Sequence, residues 1–282
     1  MKGEITTKKI HHLAIIKDGA VIEDDVEIGP YSLIGENVTV GSGTVIGSHV
    51  FLDGWTTIGK NCQLYHGAVI GTPPQDIKYK GQRSIVQIGD NNIIREFVTI
   101  HRASQKDAVT QVGNNNFLMA YVHIGHNCVI GSNNTIANAV SLAGHVEVED
   151  KAVIGGMTGF HQFVRVGSMA MVGGYARVVK DVPPYSLVAG QPARLFGINT
   201  IGLKRQGIGA RVRGELKRAY KVIGQMNRLQ ALEEIKTSIN SSDELEHLIK
   251  FLENPSKMGI ILRFGDEQDL HSNLNLNLDF FK

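Results

Sequence analysis

Nearly every sixth residue between Ile16 and Val178 is a medium-sized aliphatic, and no other feature of the chain limits its fold so tightly. The beat runs through Ile16, Ile22, Ile28, Ile34, Val40, Ile46, Leu52, Ile58, Leu64 and Ile70, then resumes at Ile88, Ile94 and Ile100. It continues through Val112, Leu118, Ile124, Ile130, Ile136, Leu142, Val148, Ile154, Phe160, Val166, Val172 and Val178. A period of six fits neither a helix nor a single long strand, so the chain must turn a corner at each hexad. A fixed hexapeptide period is the mark of a parallel β-helix. Three hexads close a triangular coil of about 18 residues with the aliphatics pointing inward, and coils stack about 4.8 Å apart. Small or amide residues such as Gly29, Gly35, Gly47, Gly59, Asn91 and Asn133 are expected to supply the corner bends. One coil buries little alone, so stability comes from its neighbours.

The 282 residues allow one large or two moderate domains. A net charge of +2 gives no whole-chain argument for nucleic acid. Cys62 and Cys128 are too few for a disulfide framework and lack metal-ligand spacing, which fits a reducing compartment. The segment MKGEITTKKIHHLAII has no apolar core of the signal-peptide kind, and no run approaches a membrane span. A soluble, cytoplasmic protein is expected.

The rhythm breaks at 71–85, GTPPQDIKYKGQRSI, and at 102–110, RASQKDAVT, without changing phase, so both read as loops extruded from a continuing prism. Either could be a bland insertion. The first is the better candidate for function, since loops on rigid scaffolds often carry chemistry; the second reads as plain. The solenoid is expected to stop near DVPPY, 181–185, where paired prolines remove backbone donors, which gives a β-helix domain over 1–196. Leu216, Ala219, Tyr220 and Ile223, then Leu245, Leu248, Ile249 and Leu252, have helical spacing, and Asp243 opens a helix with acidic residues in its first turn. These predict a small α-helical domain over 197–265, followed by a tail of unassigned structure, 266–282. Arg194, Lys204, Arg205, Arg211, Arg213, Lys217, Arg218, Lys221 and Arg228 are opposed only by Glu215. Individually they read as solvated; together they suit an acidic macromolecule or a phosphorylated ligand.

Histidine carries the chemical signal. His126 follows Ile124 by two residues, as Gly144 follows Leu142 and Gln162 follows Phe160, and these anchors are one coil apart. Winding should therefore gather His123, His126, His145 and His161 or Gln162 on one edge. A neutral imidazole there could act as a general base; a histidine cluster could also hold catalytic zinc. The pattern alone leaves both open.

The tract PPQDIKYKG, the stretch REFVTIHRA, then AYVHIGHNCVIG, LAGHVEV, IGGMTGFHQFVRVG, MVGGYARV and DVPPY together resemble the UDP-N-acetylglucosamine O-acyltransferases over roughly 1–225. The resemblance implies a left-handed β-helix and transfer of an R-3-hydroxyacyl chain from acyl carrier protein to the sugar 3-hydroxyl of UDP-N-acetylglucosamine, in lipid A biosynthesis. By the same resemblance, His126 matches the general base and the Gly144 backbone N–H the oxyanion donor. Asp76, Lys78, His123, His145 and Gln162 match substrate-positioning residues, and in NTIGLKRQG so do Asn199 and Arg205. Gly174 matches the position limiting acyl length, and a glycine leaves that groove open for a longer chain. The family needs no metal or other cofactor and is a homotrimer with active sites between subunits, Lys78 acting across the interface. Acyl carrier protein is acidic, so the basic strip would suit it.

Some positions depart from the family pattern. Pro192 stands where the family has a nucleotide-contacting His, Ile201 and Gln206 replace an acidic and a basic residue, and Asn127 replaces an Asp beside the base. The 3-amino sugar analogue is thus an alternative acceptor. The related N-acyltransferase carries an N-terminal uridine-binding domain, for which hexads starting near residue 14 leave no expected room. From other classes, a trimeric zinc hydratase on the same prism and a non-catalytic solenoid are the rivals.

Overall fold

Each hexad contributes a short strand whose aliphatic faces inward, and parallel pairing between coils holds these strands in register. The computed structural model describes residues 8–239 and 241–265, so the 266–282 tail of the sequence reading lies outside the described residues. The chain divides into two units, 1–146 and 147–282.

The first unit is a left-handed parallel β-helix with three faces. One face stacks Ile16, Ile34, Leu52, Ile70, Ile100, Ile124 and Leu142. A second stacks Ile10, Ile28, Ile46, Leu64, Ile94, Leu118 and Ile136. The third stacks Ile22, Val40, Ile58, Ile88, Val112 and Ile130. From Ile28 onward these aliphatics are buried. Partners are normally one 18-residue coil apart. Ile58 pairs with Ile88 across the first loop and Ile100 with Ile124 across the second. The loops thus add whole hexads, which is why the phase survives them.

The glycines serve a different purpose from the one expected. The corner bends use left-handed backbone at Tyr31, His49, Asn91, Phe97, Tyr121, Asn127 and Asn133, among others. Gly29 is needed for space instead: a Cβ there would lie 2.7 Å from the Gly47 carbonyl of the next coil. Stacking brings the backbones too close for a side chain.

A buried polar ladder accompanies the aliphatics. The Asn116 Nδ2 donates to Asn92 Oδ1 at 3.0 Å and to the Gly131 carbonyl at 2.9 Å, while its Oδ1 accepts from Asn134 N–H at 2.9 Å. Asn92 Oδ1 also accepts the Asn116 N–H at 2.9 Å.

In the second unit, Val148 pairs with Val166, Ile154 with Val172 and Phe160 with Val178. The repeat does not end at DVPPY. Ser186–Ala189 still pairs in parallel with Met171–Val172, and only Arg194–Ile198 reverses to pair antiparallel with it. Pro183 and Pro184 lack donors, but they lie before the next paired strand. Among the described residues four helices follow: α1 (Thr200–Arg205), α2 (Ala210–Gln225), α3 (Arg228–Ser238) and α4 (Asp243–Glu253). Leu216, Ala219, Tyr220 and Ile223 are the buried stripe of α2, and Leu245, Leu248, Phe251 and Leu252 that of α4. The sequence pattern did not isolate α3, which starts afresh where Asn227 Oδ1 accepts the Leu229 and Gln230 N–H groups.

Candidate active site

Leaving the interior at Ile124, the chain bends through Gly125 and His126, with Asn127 at a φ of 60°. The next coil bends in the same way at Gly144 and His145. Gly144 therefore lies directly against His126: a Cβ built on it would fall 2.5 Å from both Cε1 and Nε2 of the imidazole. Only a glycine admits the ring there. His126 is buried. An imidazole and a main-chain segment of the next coil thus lie in direct apposition.

Four histidines of the first unit meet here in two pairs. His126 meets His145 edge to face with centroids 5.3 Å apart. His123 lies 5.2 Å from His101, a residue the sequence reading did not single out. His101 Nδ1 donates to the Pro73 carbonyl at 2.8 Å, and His123 Nδ1 meets Thr99 Oγ1 at 2.8 Å. Burial is the main cause holding both imidazoles below their ordinary pKa; His126 adds to the effect at His101, and His101 to that at His123.

Two loops close on His126. In the 73–84 loop, Asp76 Oδ1 accepts the Lys78 N–H at 2.9 Å. That bond is the main cause lowering the Asp76 pKa, with smaller contributions from the Ser104 hydroxyl and the charge of His126. Lys78 is exposed. Arg102 braces this loop, donating to Tyr79 Oη at 3.2 Å and to the Gly71 carbonyl at 2.8 Å. The 102–108 loop is not the plain insertion its composition suggested. Its Ser104 N–H donates to Asn127 Oδ1 at 3.0 Å, Asn127 Nδ2 donates to Gln105 Oε1 at 2.7 Å, and Asn127 Oδ1 lies 2.9 Å from His126 Nδ1. Gln82 Nε2 donates to the Ser104 carbonyl, tying the loops together.

A family model described as "Udp N-acetylglucosamine O-acyltransferase; Domain 2" matches residues 181–261, and one described as "Bacterial transferase hexapeptide (six repeats)" matches 19–54 and 110–144. The acyl-[acyl-carrier-protein]–UDP-N-acetylglucosamine O-acyltransferase of Thermodesulfovibrio yellowstonii is 48% identical over 255 residues, covering 89% of this chain and 98% of that protein. The enzyme of the same name from Thiobacillus denitrificans is 45% identical over 255 residues, with the same coverage. The chain belongs to the UDP-N-acetylglucosamine O-acyltransferases. The crystal structure of the Francisella novicida UDP-N-acetylglucosamine acyltransferase superposes with a TM-score of 0.87 at 43% identity, covering 92% of this chain and 95% of that one. The zinc-hydratase alternative finds no support among these relatives.

The remaining expected site residues of this acyltransferase lie in the second unit. His161 and Gln162 follow the strand Gly159–Phe160, with His161 Nδ1 donating to the Gln162 carbonyl at 3.1 Å. Gly174 lies in the bend after Met171–Val172, close enough that a Cβ on Gly155 would fall 2.8 Å from its Cα. Asn199 caps α1: its Oδ1 accepts the Gly202 N–H at 3.0 Å and its Nδ2 donates to the Met169 carbonyl at 2.9 Å. Arg205 ends α1 and is exposed. In the basic strip, Lys217, Arg218 and Lys221 line a groove of about 710 Å³ together with Phe196, Tyr220 and Phe264. Arg211 differs from them, since its Nη1 lies 2.7 Å from the buried Glu215 carboxylate. Among the described residues, no helix is long and apolar enough to cross a membrane.

Proposed function

We propose that His126 is the general base, and the Gly144 N–H the oxyanion donor, of the reaction this family catalyses. The chain is an acyl-[acyl-carrier-protein]–UDP-N-acetylglucosamine O-acyltransferase. It moves an R-3-hydroxyacyl group from the carrier thioester to the sugar 3-hydroxyl of UDP-N-acetylglucosamine, the first step of lipid A synthesis. The sugar oxygen attacks the thioester carbonyl as His126 Nε2 takes its proton. The resulting tetrahedral oxyanion accepts a hydrogen bond from the Gly144 N–H, a fixed donor that needs no reorganisation. Collapse breaks the C–S bond, and the imidazolium returns its proton to the departing thiolate. The apposition of the His126 ring and the Gly144 backbone is the observation that carries this assignment.

In this reaction Asp76, Lys78, His123, His145 and Gln162 orient the substrates, Asn199 and Arg205 serve the nucleotide, and Gly174 leaves room for a longer acyl chain. The enzyme works in the cytoplasm as a homotrimer whose sites lie between subunits, with Lys78 reaching across. A β-helix domain, 1–196, carries the chemistry, and a helical domain, 197–265, receives acyl carrier protein at Lys217, Arg218 and Lys221.

The deciding assay supplies UDP-N-acetylglucosamine, or its 3-amino analogue, with a panel of 3-hydroxyacyl carriers to the purified protein and to His126→Ala. Transfer to the hydroxyl sugar should collapse in the variant. Near-normal turnover there would remove His126 from the base role.

A further inference from the structure

We propose that Asn127, pinned by the 102–108 loop, is the positioning residue of the base and holds it with an uncharged acceptor. The proposal rests on the reading of His126 as the base and names what orients it.

The Ser104 backbone N–H can only donate, and it lies 3.0 Å from one end of the Asn127 amide, so that end is the oxygen. The other end lies 2.7 Å from Gln105 Oε1, as an NH2 requires. With Oδ1 fixed as an acceptor, His126 Nδ1, 2.9 Å away, must carry the ring hydrogen. A neutral imidazole has one N–H, so the lone pair is left on Nε2, the atom held against Gly144. A backbone amide in a loop 23 residues upstream thereby selects the tautomer that can take a proton beside the oxyanion donor.

The support for Asn127 is itself rigid. Its N–H donates to Thr110 Oγ1 at 2.8 Å, and its Oδ1 accepts a further bond from Ser104 Oγ at 3.2 Å. The titratable groups around the His126 ring are His145, which meets it edge to face, His101 and Asp76. The group bonded to Nδ1 is a neutral amide, so it orients the ring without the charge a carboxylate would add.

Two substitutions separate orientation from mere folding. Asn127→Gly keeps a residue suited to the left-handed bend while removing the amide. It should lower kcat on the order of tenfold or more while leaving KM and the melting temperature nearly unchanged. Asn127→Asp keeps the acceptor and adds a charge, so the acid limb of kcat/KM against pH should move upward by about 1 pH unit. Nitrogen NMR of the histidine side chains in the full chain supplies a readout independent of activity: Nδ1 of His126 should be the protonated nitrogen in the wild type and lose that preference in Asn127→Gly. An unchanged tautomer in Asn127→Gly, unchanged kcat in that variant, or superimposable pH profiles for wild type and Asn127→Asp would each overturn the proposal. If the tautomer responds as stated while His126→Ala stays active, the orientation stands and the base assignment falls.

Discussion

Gly144 shows how little room the reaction centre leaves. Its hydrogen occupies the place where a methyl carbon would lie 2.5 Å from the His126 ring. Gly144→Ala should therefore tilt the imidazole rather than unfold the coil, and a displacement of about 1 Å costs on the order of 100-fold in turnover. The expected result is a large fall in kcat with a melting temperature close to wild type. His101 and His123 make a second claim at this scale. Burial depresses both below the ordinary 6.5, so between the two values the unfolded chain binds more protons than the folded one. Their contribution to stability is complete above 6.5 and is lost as pH falls through that value toward the depressed folded ones. Replacing His101 by Gln should make the melting temperature less sensitive to acidification between about pH 7 and pH 5 than it is in the wild type.

Among the elements, what could be read from the chain depended on periodicity. The three faces, the inward aliphatics and the two phase-preserving loops follow from a repeat visible at Ile28, Ile34 and Val40 and sustained to Val178. The 18-residue offset also puts His126 and Gly144 at one corner of successive coils, where the structure has them in contact. The part played by the 102–108 loop left no such trace. A bond from Ser104 to Asn127 joins residues with no shared period, and RASQKDAVT looks like any polar insertion. His101 was missed for a related reason, since its role depends on the Pro73 carbonyl of the other loop. The asparagine ladder offers a test of element-level cooperativity. Asn116→Leu would leave Asn92 Oδ1 short of a donor and the Asn134 N–H and Gly131 carbonyl unpaired inside the prism. Chemical denaturation should show a loss of roughly 2–4 kcal/mol, more than a shape-matched apolar swap would cost at the surface.

For the whole molecule, a formal charge of only +2 conceals a strongly basic face. Lys217, Arg218 and Lys221 are exposed along α2, whereas Arg211 is committed to Glu215, so reversing Arg211 would disturb a buried carboxylate and confuse the readout. Reversal of Lys217 and Lys221 to Glu should raise KM for the acyl carrier several-fold, on the order expected for lost electrostatic steering, and leave KM for the sugar nucleotide unchanged. The effect should shrink in high salt. An equal rise in both constants would point away from a carrier-docking face. The stacking of His126 on Gly144 has one more implication. Because His126 and Gly144 sit on adjacent rungs, their backbones are one ladder step apart, about 4.8 Å. That dimension is inherited from main-chain geometry, so the imidazole swings from a fixed anchor and only its own tilt is left to adjust the reaction distance.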